Sequence, residues 1–260
     1  MRCESLAWLL LLLLTRNRSS EATATTKPRD IGESGPSLDT NILIDPSNNN
    51  FVDGLNRERF FRGLNAVYKK HPYHPSTSAT WDASETMNAQ DARQIADWGF
   101  NVVRLGVLWA GLEPVQGTYN HTYLDEIETI VDTLSEEGIF TIIDMHQDLL
   151  SRRFCGNGIP DWAAKLAAQG SLTFPLPSHL PMVLDKSGWP RMQDCLENDF
   201  VTYYFSSSVS RAFESLYGNR FGLLDSFKKF WMLTADRFKG KDHVLGYEII
   251  NEPWAGNIYK

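Results

Sequence analysis

The chain has 260 residues, of which 42% are hydrophobic and 12% aromatic, and a formal charge of −7. That is enough apolar material for a sizeable core, which excludes a disordered polypeptide. The acidic balance argues against a nucleic-acid partner.

The first segment places Arg2 ahead of an apolar stretch at residues 6 to 14. This stretch falls well short of the roughly 20 residues a helix needs to cross a bilayer. Ala22 and Ala24 suit cleavage after Ala24, and Arg16 and Arg18 follow the apolar stretch closely. Residues 1–24 therefore read as a secretory signal rather than a membrane anchor. Its removal takes away three arginines and two glutamates and moves the charge from −7 to −8. Residues 25–40 are rich in Thr, Ser, Pro and Gly without apolar periodicity, the pattern of a disordered lead-in. Cys3 leaves with the signal, so Cys155 and Cys195 remain as an even pair in a compartment that permits disulfides. They are expected to be bonded, the alternative being two separate buried thiols. Asn120-His121-Thr122 is a glycosylation sequon, expected on a surface loop.

Ordered structure is expected from Asn41. NILIDPSNNNFVDG carries two short apolar runs around a turn-rich centre and predicts a β-hairpin, and RFFRGLN (59–65) predicts a short first barrel strand. Residues 86–98 have apolar residues at helical spacing and close at Gly99, and NVVRLGVLW (101–109) follows as an apolar, β-branched strand. TYLDEIETIVDTLSEEG predicts a helix with Leu124, Ile127, Ile130, Val131 and Leu134 on one face and a stop at Gly138; 139–146 is the next strand. A Pro-, Ser- and aromatic-rich stretch with a helix near 199–217 leads to FGLLDSFKKFWMLTADRFKG, a helix, and VLGYEII, a strand.

Helices alternating with strands that lack polar alternation predict a parallel sheet covered by helices, an α/β fold. Doubly wound and barrel folds share this signal. Polar residues collect at the C-terminal strand ends, namely Asn65, Arg104, Asp144 with His146, and Asn251 with Glu252. Convergence of this kind is characteristic of a TIM (β/α)8 barrel, and no GxGxxG fingerprint favours a nucleotide-binding sheet. A complete barrel takes about 250 residues, yet only four strands are found, so the expectation is a barrel truncated after about the fourth βα strand, spanning 41–260.

Asn-Glu-Pro alone is weak evidence, because such a triplet is usually a solvated turn. Its place after a buried-type strand makes Glu252 a candidate general acid, on the expectation that partial desolvation keeps it protonated near neutral pH. His146 with Asp144 and Asp148 suggests a metal site, but the spacing is not that of structural zinc, and no metal or cofactor is expected. Tryptophans 81, 109, 162, 189 and 254 either line a sugar or lipid groove or belong to the core.

RFFRGLN, NVVRLGVLW, DMHQD and GYEIINEPW resemble the retaining glycoside hydrolases typified by glycoside hydrolase family 5. Within that clan, DMHQDLLSRRFCGNGIPDWA, DCLEND and VLGYEIINEPWAGN look like endoglycoceramidases, which release intact oligosaccharide from ceramide. The resemblance implies Glu252 as acid/base, Asn251 at the sugar 2-hydroxyl and Arg104 beside the nucleophile. It also implies Asp144, His146 and Lys69 as sugar contacts, with Lys70 competing for the last role. The nucleophile would lie at a seventh strand, and no acidic residue follows Glu252. Further expectations are a glycosphingolipid substrate, a transient membrane-surface contact, a monomer, and secretion or an endolysosomal lumen. The alternatives are another family 5 β-glycosidase acting on glucan or steryl glucoside, and a noncatalytic glycolipid-binding product.

Overall fold

Two short runs, Leu43–Ile44 (β1) and Phe51–Val52 (β2), pair antiparallel as the hairpin expected from NILIDPSNNNFVDG. The Asp45 carboxylate accepts from both the amide and the hydroxyl of Ser47 and so fixes the turn between them. The computed structural model describes residues 41–168, 185–186 and 189–259. The expected signal segment 1–24 and lead-in 25–40 lie outside the described residues.

The remaining strands form one parallel sheet in chain order: Gly63–Ala66 (β3), Val102–Gly106 (β4), Phe140–Asp144 (β5) and Val244–Glu248 (β6). Parallel neighbours taken in sequence and joined through helices are the pattern of successive βα units of an α/β barrel. The crossings bring Ala89–Asp97 (α1), His121–Glu136 (α3) and Leu223–Phe238 (α8) onto one face of the sheet. Helix α1 starts where Asn88 accepts from the Gln90 amide while Asp91 accepts from the Asn88 amide, a reciprocal cap. Helix α3 buries all five residues of its predicted apolar face. Against these helices pack Val103, Leu105, Thr141 and Ile143, fully buried on the covered side of the strands. At Gly63 the strands approach so closely that a Cβ would lie 1.6 Å from the Val102 carbonyl oxygen.

Three strands end earlier than the sequence predicts; the one expected over 139–146 stops at Asp144, so that His146 lies in the loop beyond it. The run expected through Trp109 stops at Gly106, and Trp109 instead opens a short helix, Trp109–Leu112 (α2). Its indole Nε1 donates to Glu113 Oε2 at 2.8 Å, a pairing one helical turn apart. Trp109 is fully buried and belongs to the core, as does Trp189; Trp81 is exposed. The last strand stops at Glu248, so Ile249 and Ile250 belong to the following turn. Between β5 and β6 run Asp161–Ala167 (α4), Met192–Cys195 (α5), Phe200–Tyr204 (α6) and Ser207–Tyr217 (α7). The single helix expected near 199–217 is thus two, divided where Ser206 caps α7 by accepting from the Val209 amide at 3.1 Å. The Cys155–Cys195 disulfide is present and ties the loop after β5 to α5. Among the described residues no helix is long and apolar enough to cross a membrane.

The ladder between β5 and β6 contains an irregularity that positions the site. Thr141 pairs with Val244, but Ile142 pairs with Gly246, so Leu245 is an extra residue on β6. The shift brings Glu248 opposite Asp144, which in turn faces Gly106 on β4. Because paired residues of parallel neighbours share a face, Asn65, Arg104, Asp144 and Glu248 all project from the side away from the helices.

Candidate active site

Arg104 is the hub of this face. Its Nε and Nη2 donate to the two carboxylate oxygens of Glu248 at 2.6 and 2.7 Å, the planar fork matching a carboxylate. Nη2 also donates to Asn251 Oδ1 at 2.9 Å, and Nη1 stands 3.0 Å from Asp144 Oδ2. The same Asp144 oxygen accepts from His146 Nδ1 at 2.8 Å. On the other side of the ring, His146 Nε2 is 3.4 Å from Asp148 Oδ2, which also pairs with Lys69 Nζ at 2.7 Å and accepts from Asn157 Nδ2 at 2.8 Å. The result is a row of alternating charge: Glu248, Arg104, Asp144, His146, Asp148, Lys69. Asp144 Oδ1 is buried and accepts no hydrogen bond among the described residues, a condition that a hydroxyl donor would relieve.

The row sets the protonation of its members. Burial pushes the Asp144 carboxyl up, against the opposing pull of His146 and Arg104. Burial works the same way on Asp148, but hydrogen bonds from His146, Lys69 and Asn157 outweigh it and hold this carboxyl well below its ordinary value. For His146, burial alone would lower the pKa, yet hydrogen bonds to Asp144 and Asp148 prevail and raise it. An imidazole raised in the folded state contributes stability that is complete below about pH 6.5, its unfolded value, and is lost as pH rises through the folded value. Unfolding free energy measured by urea denaturation at about pH 5.5 and about pH 8.5 should therefore fall across that interval. In His146→Gln the fall should shrink, and a fall of unchanged size would assign it to other groups.

Lys69 and Lys70 separate cleanly: Lys69 reaches Asp148, whereas Lys70 pairs with Glu85 at 2.6 Å and leaves the cluster. The turn after β6 carries Asn251 and Glu252. Asn251 is buried, with its backbone amide donating to the Met145 carbonyl at 3.1 Å and its Nδ2 donating to the Gln147 carbonyl at 2.9 Å. Glu252 has a left-handed backbone, φ +41°, unusual for a residue with a side chain. Its backbone carbonyl accepts from Gln147 Nε2 at 3.1 Å, so the turn that bears it stands at the same end of the sheet. In one respect the expectation fails, since Glu252 is exposed rather than partly desolvated. Beyond it, Trp254 packs against Ser207–Tyr217, its Nε1 donating to Ser210 Oγ at 3.1 Å and its carbonyl accepting from the Tyr217 hydroxyl at 2.7 Å.

The structure thus brings Arg104, Asp144, His146, Asn251, Glu252 and Lys69 to one end of the sheet. The sequon's Asn120 is exposed, as expected, but it caps α3 by accepting from the Tyr123 amide at 3.3 Å rather than lying within a loop. Sequence reasoning missed Glu248 and Gln147. Glu248 did carry a signal, because a carboxylate inside an apolar strand demands a partner. Gln147 carried none; a neutral amide between His146 and Asp148 has no pattern of its own.

The family model described as Cellulase (glycosyl hydrolase family 5) matches residues 65–259. The chain is 43% identical over 220 residues to an endoglycoceramidase of Hydra vulgaris, covering 84% of this chain and 42% of that protein. To an endoglycoceramidase of Cyanea nozakii it is 42% identical over 219 residues, covering 84% of this chain and 43% of that protein. Among solved structures, endo-glycoceramidase II from Rhodococcus sp. in its ganglioside GM3 complex superposes with a TM-score of 0.58 at 28% identity, covering 79% of this chain and 42% of that one. The chain therefore spans less than half the length of the curated relatives it matches.

Proposed function

The chain belongs to glycosyl hydrolase family 5, and from that premise we propose that it supplies the acid/base half of an endo-β-glycosidase site that cleaves glycosphingolipids between oligosaccharide and ceramide. The observation that supports this reading is the bond from Arg104 to Asn251, which ties the turn bearing Glu252 to the Arg104–Asp144–His146 cluster at the C-terminal end of the sheet, in a chain whose relatives bear the name endoglycoceramidase. In this reading Glu252 protonates the departing ceramide oxygen and later removes a proton from water. One hydrogen of the Asn251 amide is committed to the Gln147 carbonyl, and the second is offered to the sugar 2-hydroxyl. Asp144, His146 and Lys69 hold further hydroxyls.

A retaining mechanism needs a second carboxyl about 5–5.5 Å from the first. Asp144, Glu248 and Asp148 are each already engaged by a cation. We therefore assign the nucleophile to sequence beyond these residues. That carboxylate, together with substrate closing over the exposed Glu252, would supply the like-charge and desolvation effects that hold an acid protonated. The disulfide, the sequon and the signal-like residues 1–24 support action in a secretory or endolysosomal compartment, on substrate presented at a membrane surface.

The test uses the full-length gene product that contains this chain, offered a ganglioside, a β-glucan and a steryl glucoside. The expected result is release of intact oligosaccharide and ceramide from the ganglioside, with none from residues 25–260 alone. Turnover confined to glucan or steryl glucoside would replace this reading. Glycolipid binding without turnover, unchanged in Glu252→Gln, would point to a noncatalytic binding role.

A further inference from the structure

The segment after β5 folds back on itself under unusual backbone constraint. Leu149 and Leu150, both fully buried, take left-handed conformations at φ +53° and +62°. The loop returns so tightly that a Cβ at Gly156 would sit 1.7 Å from the Asp148 carbonyl oxygen and one at Gly158 2.5 Å from Gln147 Cβ. Backbone bonds in both directions between Asp148 and Asn157 close this return. Gln147 is completely buried inside it. Its Oε1 accepts from the Leu150 amide at 2.7 Å, and its Nε2 donates to the carbonyls of Asn251 at 2.6 Å and of Glu252 at 3.1 Å. Asn251 returns a bond from Nδ2 to the Gln147 carbonyl.

A left-handed Glu252 persists only where its surroundings over-determine it, and these bonds grip the backbone on both sides of that residue. We propose that Gln147 is the positioning residue of the acid/base, a clasp through which the constrained loop after β5 fixes the turn carrying Glu252. This rests on the role proposed for Glu252. The Glu252 side chain takes its direction from its own φ and ψ, so loss of the clasp would misplace the proton donor while leaving the sugar contacts of Asp144, His146 and Lys69 in place.

The experiment uses the full-length gene product with Gln147→Glu, which sets a carboxylate against two carbonyls, and Gln147→Met, which keeps the bulk and removes all three side-chain bonds. A misplacement of about 1 Å costs on the order of 10²-fold in rate, so kcat on a glycosphingolipid should fall by about that factor with KM little changed. A dinitrophenyl glycoside needs no acid for departure of its leaving group. Azide attacks the anomeric carbon of the glycosyl-enzyme ester and displaces the carboxylate without surrendering a proton. Both variants should therefore regain turnover on the aryl glycoside when azide is added, yielding glycosyl azide, as Glu252→Ala should also do. Equal losses on both substrates without azide rescue, or wild-type rates, would overturn the clasp while leaving Glu252 in its role. If Glu252→Ala itself shows no rescue, the acid/base assignment falls and the clasp falls with it. Should the variants not fold, a crystal structure of the wild-type protein decides: Nε2 farther than about 3.5 Å from both carbonyls overturns the proposal.

Discussion

Glu252→Gln in the full-length gene product is expected to lower kcat on a glycosphingolipid by about 10²- to 10⁴-fold, the range that proton transfer by a placed side chain contributes. The substitution keeps shape and hydrogen-bonding capacity but removes the transferable proton. Glu252 is exposed and its side chain anchors nothing in the core, so stability should hardly change. That pairing of a large kinetic loss with an unmoved melting temperature is the signature to measure. A variant retaining more than about a tenth of wild-type kcat would remove Glu252 from the acid/base role.

The largest effect on stability is expected at Arg104. Arg104→Met removes the partner of Asp144, whose side chain is fully buried, and of Glu248, whose side chain is 37% exposed. Glu248 can recover solvation from water, so its share is small. Asp144 cannot. Stripping the partner from a buried charge costs about 3–5 kcal/mol, and because His146 still donates to Asp144 the lower end, about 3 kcal/mol, is expected by chemical denaturation. Lys69→Met provides the contrast. It also takes a cation from a buried carboxylate, but Asp148 keeps the Asn157 amide and His146, and water can take the place of a Lys69 side chain that is 53% exposed, so about 1 kcal/mol is expected. Equal losses for the two variants would mean that burial does not govern the energetics of this row.

Those two arginine and lysine side chains also mark how far the sequence could be read. Helix α3 was fully legible because Leu124, Ile127, Ile130, Val131 and Leu134 repeat with the helical period and nothing competes with that pattern. The strands were legible as apolar runs, but their ends were not. Trp109 and Ile250 continue the apolar character past the point where the chain turns, and the turn is decided by Glu113 reaching back to an indole or by packing of distant residues. At the site, charged residues at strand ends stood out, and the resemblance of DMHQD and NEP to a known pattern tied them together. The exposure of Glu252 was hidden, because solvent access depends on which other elements lie over a turn, and no local pattern encodes that.

The extra residue at Leu245 carries a constraint on how this stretch can vary. A regular ladder needs one residue fewer between Val244 and Glu248, so loss of Leu245 would remove the irregularity and leave Glu248 opposite Asp144. A residue inserted after Gly246 has no such outlet, and because side chains along a strand alternate between the two faces it would reverse everything downstream. Tyr247 would then turn inward toward Arg104, and Glu248 would be driven against the greasy underside of the helices. Lengthening or shortening the connection before β6 is a tolerable change, whereas an insertion between Gly246 and Glu248 discards the guanidinium's fork partner in a single step. Homologous sequences should therefore keep the spacing from this irregularity to the Asn-Glu pair fixed, even where the residues between them differ.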